Sequence, residues 1–222
     1  MEPSRPDHTG ARHTPADLPG DADSVTLSER LRQQLAFVRE VDRLKSVLRR
    51  TSLIDRTRRE NTAEHSWHLT TMALTFAEHA EPGTDMHRVL MMLVVHDVVE
   101  IDAGDTFAFD TVGYADKAER EAQAAVRIFG LLPSDTAHRL REAWEEFEAG
   151  ISAEARFANA IDRLQALVLN DGGGDGGTWR AHGISRRAVL ERMEPIRHGA
   201  PGLWPVVLDA VDRATAAGFI AD

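Results

Sequence analysis

Residues 89–100 read Val89-Leu90-Met91-Met92-Leu93-Val94-Val95-His96-Asp97-Val98-Val99-Glu100, the most apolar stretch of the chain, and it contains an adjacent His-Asp pair and a glutamate. Its valines suit a buried strand and its length suits a buried helix, so periodicity alone leaves both open. Length and context, from Met86 to Glu100, favour the helix. Placing an imidazole and a carboxylate in such surroundings costs several kcal/mol unless a partner compensates, and a metal ion is such a partner. The alternative is a core histidine bonded to backbone beside a capping aspartate. The rest of the chain has to decide between them.

Toward the N-terminus, Asn61 with Glu64 predicts a helix start, and that helix ends before Pro82-Gly83, with His65 and His68 in its first turns. Before it, Thr26 and Glu29 form a capping-box pair. Leu27, Leu31, Leu35, Val38, Val41, Leu44 and Val47 follow at spacings of three and four, which predicts one long amphipathic helix. Toward the C-terminus, helices are expected from Asp116 to Phe129 with Gly130 as stop, and from caps Ser134 and Ser152 to about Ala149 and Asn170. Two more are expected near Ser185 to Ile196 and Leu203 to Ala217. No segment shows sustained period-two alternation, so the fold class is all-α. The run from Asp171 to Gly177 lacks the lysine and hydroxyl residue of a phosphate-cradling loop and reads as a flexible surface connection.

Residues 1–24 hold four of the nine prolines and almost no large apolar side chains, which predicts a disordered tail before a single domain over 25–222. The chain has 222 residues, 42% hydrophobic and 28% charged, within reach of one core. It contains no cysteine, so a disulfide scaffold, a thiolate zinc site and a cysteine nucleophile are excluded, and any metal must use nitrogen and oxygen ligands. No run of about 18 apolar residues and no basic-then-apolar leader is present. The expected location is the cytoplasm, without membrane attachment. A net charge of −10 with scattered basic residues argues against long nucleic acids as partners.

Two further ligand-type residues stand out. His65 lies in Glu60-Asn61-Thr62-Ala63-Glu64-His65-Ser66-Trp67-His68, and Asp162 interrupts an inward-facing row between Ile161 and Leu164. With His96 and Asp97 they make two imidazoles and two carboxylates from three helices. That set suits manganese, iron, cobalt, nickel or zinc better than calcium and leaves positions open for catalysis. One divalent transition ion is therefore expected. Glu100, one turn after His96 and Asp97, falls on the same face, where a carboxylate can move protons. His68 is expected to pack or to support a ligand, and Trp67 to pack. His79, His87, His138 and His182 have no ligand-like spacing.

These residues resemble the HD-domain superfamily of metal-dependent phosphohydrolases, in particular the branch that includes the 5′-deoxynucleotidases. The signature of a histidine, a His-Asp pair and a later aspartate is matched by His65, His96-Asp97 and Asp162. The likeness extends over Arg59 to Ser66, His96 to Glu100 through Gly104-Asp105, Trp144 to Glu148, and Ala153 to Phe157. It implies a compact HD-domain helical bundle, often a homodimer, acting on a small phosphorylated substrate such as a nucleoside monophosphate. It also implies functional roles for Glu100 and Asp105. A gapless alignment puts Arg50 at the phosphate-contacting arginine, and Thr51 where some members carry tryptophan. Some proteins of this kind are instead di-iron oxygenases, but those need more histidines between the His-Asp pair and the last aspartate, and only His138 lies there. A catalytically silent HD module that binds a nucleotide or a partner protein is the third reading, and the intact ligand set with Glu100 argues against it.

Overall fold

The structure, a computed structural model, describes residues 26–107, 109, 113 and 115–221. The tail expected over 1–24 lies outside the described residues. Helices dominate: α1 (Glu29–Val41), α2 (Thr62–Thr75), α3 (Met86–Val95), α4 (Glu100–Ala103), α5 (Lys117–Phe129), α6 (Ser134–Ala149), α7 (Ala153–Gly172), α8 (Gly177–Ala181), α9 (Arg186–Gly199) and α10 (Trp204–Ala216). Two short strands, β1 (Leu48–Ser52) and β2 (Arg59–Asn61), lie between α1 and α2 and pair antiparallel.

The long N-terminal helix needs two corrections. Ser28, not Thr26, caps it by accepting from the Leu31 N–H, and Glu29 pairs with Arg32 instead of closing a box. The helix then stops at Val41, tightens into a 3-10 turn over Asp42–Ser46, and becomes extended at Val47. The apolar spacing continues through this break because Leu44 belongs to the central core, whereas no residue of α1 is buried. The all-α expectation likewise has one exception in the β1–β2 ribbon. The Arg59 guanidinium fastens it by donating to the Leu48 and Arg49 carbonyls.

The ambiguous run over 89–95 is helical, with Val89, Met92, Leu93 and Val95 buried and Asp85 capping its start. It does not continue smoothly to Glu100. Residues 95–100 tighten through bonds from Val98 N–H to Val95 O and from Glu100 N–H to Asp97 O. Asn61 and Glu64 form the expected capping box on α2. Ser152 caps α7, while Pro133 occupies the cap of α6 and leaves Ser134 as its first helical residue. Gly130 ends α5 in the right-handed region, whereas Gly150, at φ 62°, ends α6 in the left-handed one.

Helix α7 is the central element, packed against α2, α3, α6 and α9. Its Phe157, Ile161, Leu164 and Leu167 are fully buried, each contributing roughly 1.5–3 kcal/mol relative to exposure. The glycine-rich connection after it is not loose. It contains α8, and it is tethered by Arg56, whose guanidinium donates to the Asn170 carbonyl at 3.2 Å and to Asp175 at 2.9 Å. Arg56 lies so close over Gly173 that a Cβ there would meet it at 2.3 Å.

Candidate metal centre

The capping box starts α2 so that His65, in its first turn, turns into the core with no exposed surface. His96 and Asp97 project from the tightened turn at the end of α3, and Asp162 from the middle of α7. The three elements bring all four expected ligands together. The His65 Nε2 lies 3.1 Å from Asp162 Oδ1 and 3.7 Å from Asp97 Oδ2. His96 Nε2 is 3.0 Å from the same Asp97 oxygen. Ligand atoms of His65, His96 and Asp162 all lie within 4.8 Å of one another. Bonds of about 2.0–2.2 Å to a central ion place its ligand atoms at such mutual distances, and imidazole with carboxylate is a donor set for a divalent transition ion. The residues therefore fit a metal.

Three of these four side chains have further partners. The Leu93 carbonyl, 3.1 Å from His96 Nδ1, accepts a hydrogen bond there, so that Nε2 faces the cluster. The His96 ring also rests against Phe147, with centroids 4.7 Å apart. Arg163 Nη1 lies 2.9 Å from the outer oxygen of Asp162. Arg49, a residue the sequence reading overlooked, reaches Asp97 Oδ2 at 3.1 Å and stands 3.7 Å from Asp105.

The charges separate into two kinds. Burial opposes ionisation of Asp97, but His96, with Arg49 and His65, holds it below the ordinary carboxylate range. Burial likewise opposes ionisation of Asp162, and Arg163, His65 and His96 overcome it. With no ion bound, burial and Arg49 push the His65 imidazolium down, yet the Asp162 and Glu60 carboxylates outweigh them and raise it to about 9. Glu100 goes the other way. Burial and neighbouring Asp97 push it well up, with Asp105 adding to this, and Arg49 and the Thr62 hydroxyl offset only part. Asp105 is also raised, by burial and Asp97 against the pull of Arg49. The carboxylates are thus driven apart, Asp97 and Asp162 toward the charged form and Glu100 toward the protonated one. Glu100 is 6% exposed and accepts from Thr62 Oγ1 at 3.0 Å.

A cleft of about 280 Å³ opens over this floor, the scale of a small-molecule site. Arg50 and Thr51 of β1 line it together with Glu100 and Asp105, and the Arg50 backbone N–H donates to Asp105. Phe107 and Trp179 also line it. His68 stands outside the ligand cluster, 3.3 Å from the Gln165 amide. Trp67 is 68% exposed and does not pack into the core, contrary to expectation. Arg49, Glu60, Thr62, Arg163 and Gln165 are among the site residues missed from the sequence. For Glu60 the signal was its place in the same short stretch as His65. For Arg49 it was only its adjacency to Arg50.

A helical bundle that gathers two histidines and two aspartates at the floor of an arginine-lined cleft is the arrangement of a metal-dependent phosphohydrolase. The chain belongs to the HD domain family, which matches it over residues 41–204. It is similar to the human 5'-deoxynucleotidase HDDC2, 32% identical over 139 residues, a match covering 62% of this chain and 66% of that protein. The cattle protein of the same name is 35% identical over 148 residues, covering 65% and 70%. Among solved structures, a crystal structure of a predicted metal-dependent phosphohydrolase from Magnetospirillum magnetotacticum MS-1 shares 48% identity and a TM-score of 0.83. That match covers 87% of this chain and 96% of the other. No helix among the described residues is long and apolar enough to cross a membrane.

Proposed function

We propose that this chain hydrolyses nucleoside or deoxynucleoside 5′-monophosphates to a nucleoside and phosphate. In this reading one divalent transition ion (manganese, cobalt, iron, nickel or zinc) is held by His65, His96, Asp97 and Asp162. The observation that carries it is the convergence of His65, His96 and Asp162, with Asp97 Oδ2 close to both imidazoles, beneath a cleft that Glu100, Asp105 and Arg50 line. Likeness to proteins named 5'-deoxynucleotidase supports the substrate class. The bound ion supplies Lewis-acid activation of water and of the phosphoryl group. Glu100, buried and able to hold a proton, serves the proton transfers of the reaction, with its carboxyl aimed by Thr62. Asp105 assists by orienting the substrate or by carrying a proton. Arg50 offers its guanidinium fork to the phosphate at the cleft wall. The same reading takes 25–222 as a single domain working in the cytoplasm as a homodimer, in keeping with a chain free of cysteine and of membrane-spanning helices among the described residues.

The test is phosphate release from a panel of nucleoside monophosphates, after chelator treatment and reloading with each ion in turn. Ion-dependent release is expected. No release from any nucleoside monophosphate with any ion sinks the reading.

Sugar selection is a sharper expectation. Thr51 lines the cleft beside Arg50, where an aromatic wall would exclude a 2′-hydroxyl and a threonine instead offers a hydroxyl partner. One such contact or clash is worth roughly 1–3 kcal/mol. The preference for deoxyribose over ribose substrates is therefore expected to stay below about tenfold, and Thr51→Trp to raise it. Catalytic efficiencies on matched pairs decide it, and a strong deoxyribose preference in the unaltered protein would move the selecting role elsewhere.

A further inference from the structure

Several buried polar side-chain atoms lack a hydrogen-bond partner, and three of them face one another: Glu60 Oε2, Arg49 Nε and His65 Nδ1. Glu60, on β2, is 2% exposed. Its Oε2 lies 3.4 Å from Arg49 Nε and 3.6 Å from His65 Nδ1, while its Oε1 accepts from Gln165 Nε2 at 2.7 Å. Gln165 follows Asp162 by three residues on α7, so the two share a face of that helix. Asp162 meets the Nε2 side of the His65 imidazole directly, and Gln165 reaches its Nδ1 side through Glu60. Arg49, on the other side of Glu60, extends its Nη1 to Asp97. One carboxylate thus stands behind two groups that touch the ligand cluster from different elements. A buried carboxylate has a large desolvation cost, and here it is offset by donors that both belong to the site.

We propose that Glu60 is a positioning residue of the metal centre: its carboxylate accepts from the Nδ1–H of His65, so that Nε2 presents its lone pair to the ion, and it fixes the Arg49 guanidinium against Asp97. Moving each donor by a few tenths of an ångström turns both contacts into hydrogen bonds. A carboxylate behind a ligating imidazole fixes the ring's tautomer and angle and increases its basicity, and removing such a partner commonly lowers metal affinity about 10–100-fold.

The inference rests on the metal centre proposed above, and the experiment separates the two. Ion affinity is measured by titration calorimetry on the full chain after chelator treatment, with manganese and zinc as probes, for the unaltered protein, Glu60→Gln, Glu60→Ala and Glu60→Asp. Thermal midpoints of the ion-free proteins and nitrogen NMR of labelled histidines accompany it. Glu60→Gln retains the volume and a hydrogen bond to Gln165, so it keeps the test available should Glu60→Ala fail to fold. The expected result is an affinity loss of about tenfold or more for Glu60→Gln, with its ion-free midpoint close to that of the unaltered protein. Glu60→Asp should recover part of the loss, and the Nδ1–H signal of His65 should be displaced in the glutamine variant. Unchanged affinity in Glu60→Gln, or a loss that merely follows a lowered ion-free midpoint, overturns the positioning role and leaves the metal centre standing. An unaltered protein that takes up neither ion overturns both.

Discussion

Alanine at His96 or at Asp162 is expected to take the bound metal from close to one ion per chain to near zero, and phosphate release with it. His96 contributes a lone pair already aimed by the Leu93 carbonyl, and Asp162 contributes a carboxylate held charged against its burial. The ion supplies several kcal/mol of transition-state stabilisation, so turnover should fall by about a thousandfold or more at roughly 1.4 kcal/mol per factor of ten. Elemental analysis of the purified variants measures the first effect and phosphate release the second. Full occupancy in both variants would refute the ligand assignment. Asp162→Asn belongs in the series, because it retains the shape of the side chain beside His65 and removes only its charge.

Glu100→Ala should behave differently, keeping the ion while turnover falls about 100-fold or more, the scale on which a positioned proton carrier contributes. Burial and the charge of Asp97 favour its protonated form, whereas the ligand carboxylates are held ionised. That contrast is why Glu100 is assigned to proton movement and not to the coordination sphere. Glu100→Gln preserves a hydrogen bond to Thr62 and should still lose most of the activity. Turnover unchanged in either variant, at full metal content, would remove Glu100 from the mechanism.

Three of the four candidate ligands were legible because each is a polar group in a place that should be apolar, whereas His65 sits in a polar stretch and stood out through the family signature. His96-Asp97 follows seven large hydrophobic residues, and Asp162 lies in the row with Ile161 and Leu164. Such costs are visible in one dimension. The residues that support them were not. Arg49 and Glu60 stand eleven positions apart and meet only because β1 and β2 pair, and the ribbon itself carries too many charged residues to show a strand's alternation. Gln165 reads as an ordinary helix residue until α7 is packed on α2. The N-terminal helix was overrun for a related reason. Leu44 and Val47 continue a helical spacing, but the chain spends them on the core and on the approach to β1. The capping residues that were misplaced, Thr26 for Ser28 and Ser134 for Pro133, lie within two residues of the observed ones, and local hydrogen bonding alone separates them.

The ligands' wide separation along the chain bears on when the centre can exist. His65 and Asp162 are 97 residues apart, and closing so long a segment carries an entropic cost that only the packed bundle offsets. During synthesis the complete ligand set is therefore absent until α7 has emerged and docked. On the proposed ligand set, ion uptake would follow that step, and a nascent chain stalled before residue 162 would have no full coordination sphere with which to compete for the cell's free metal.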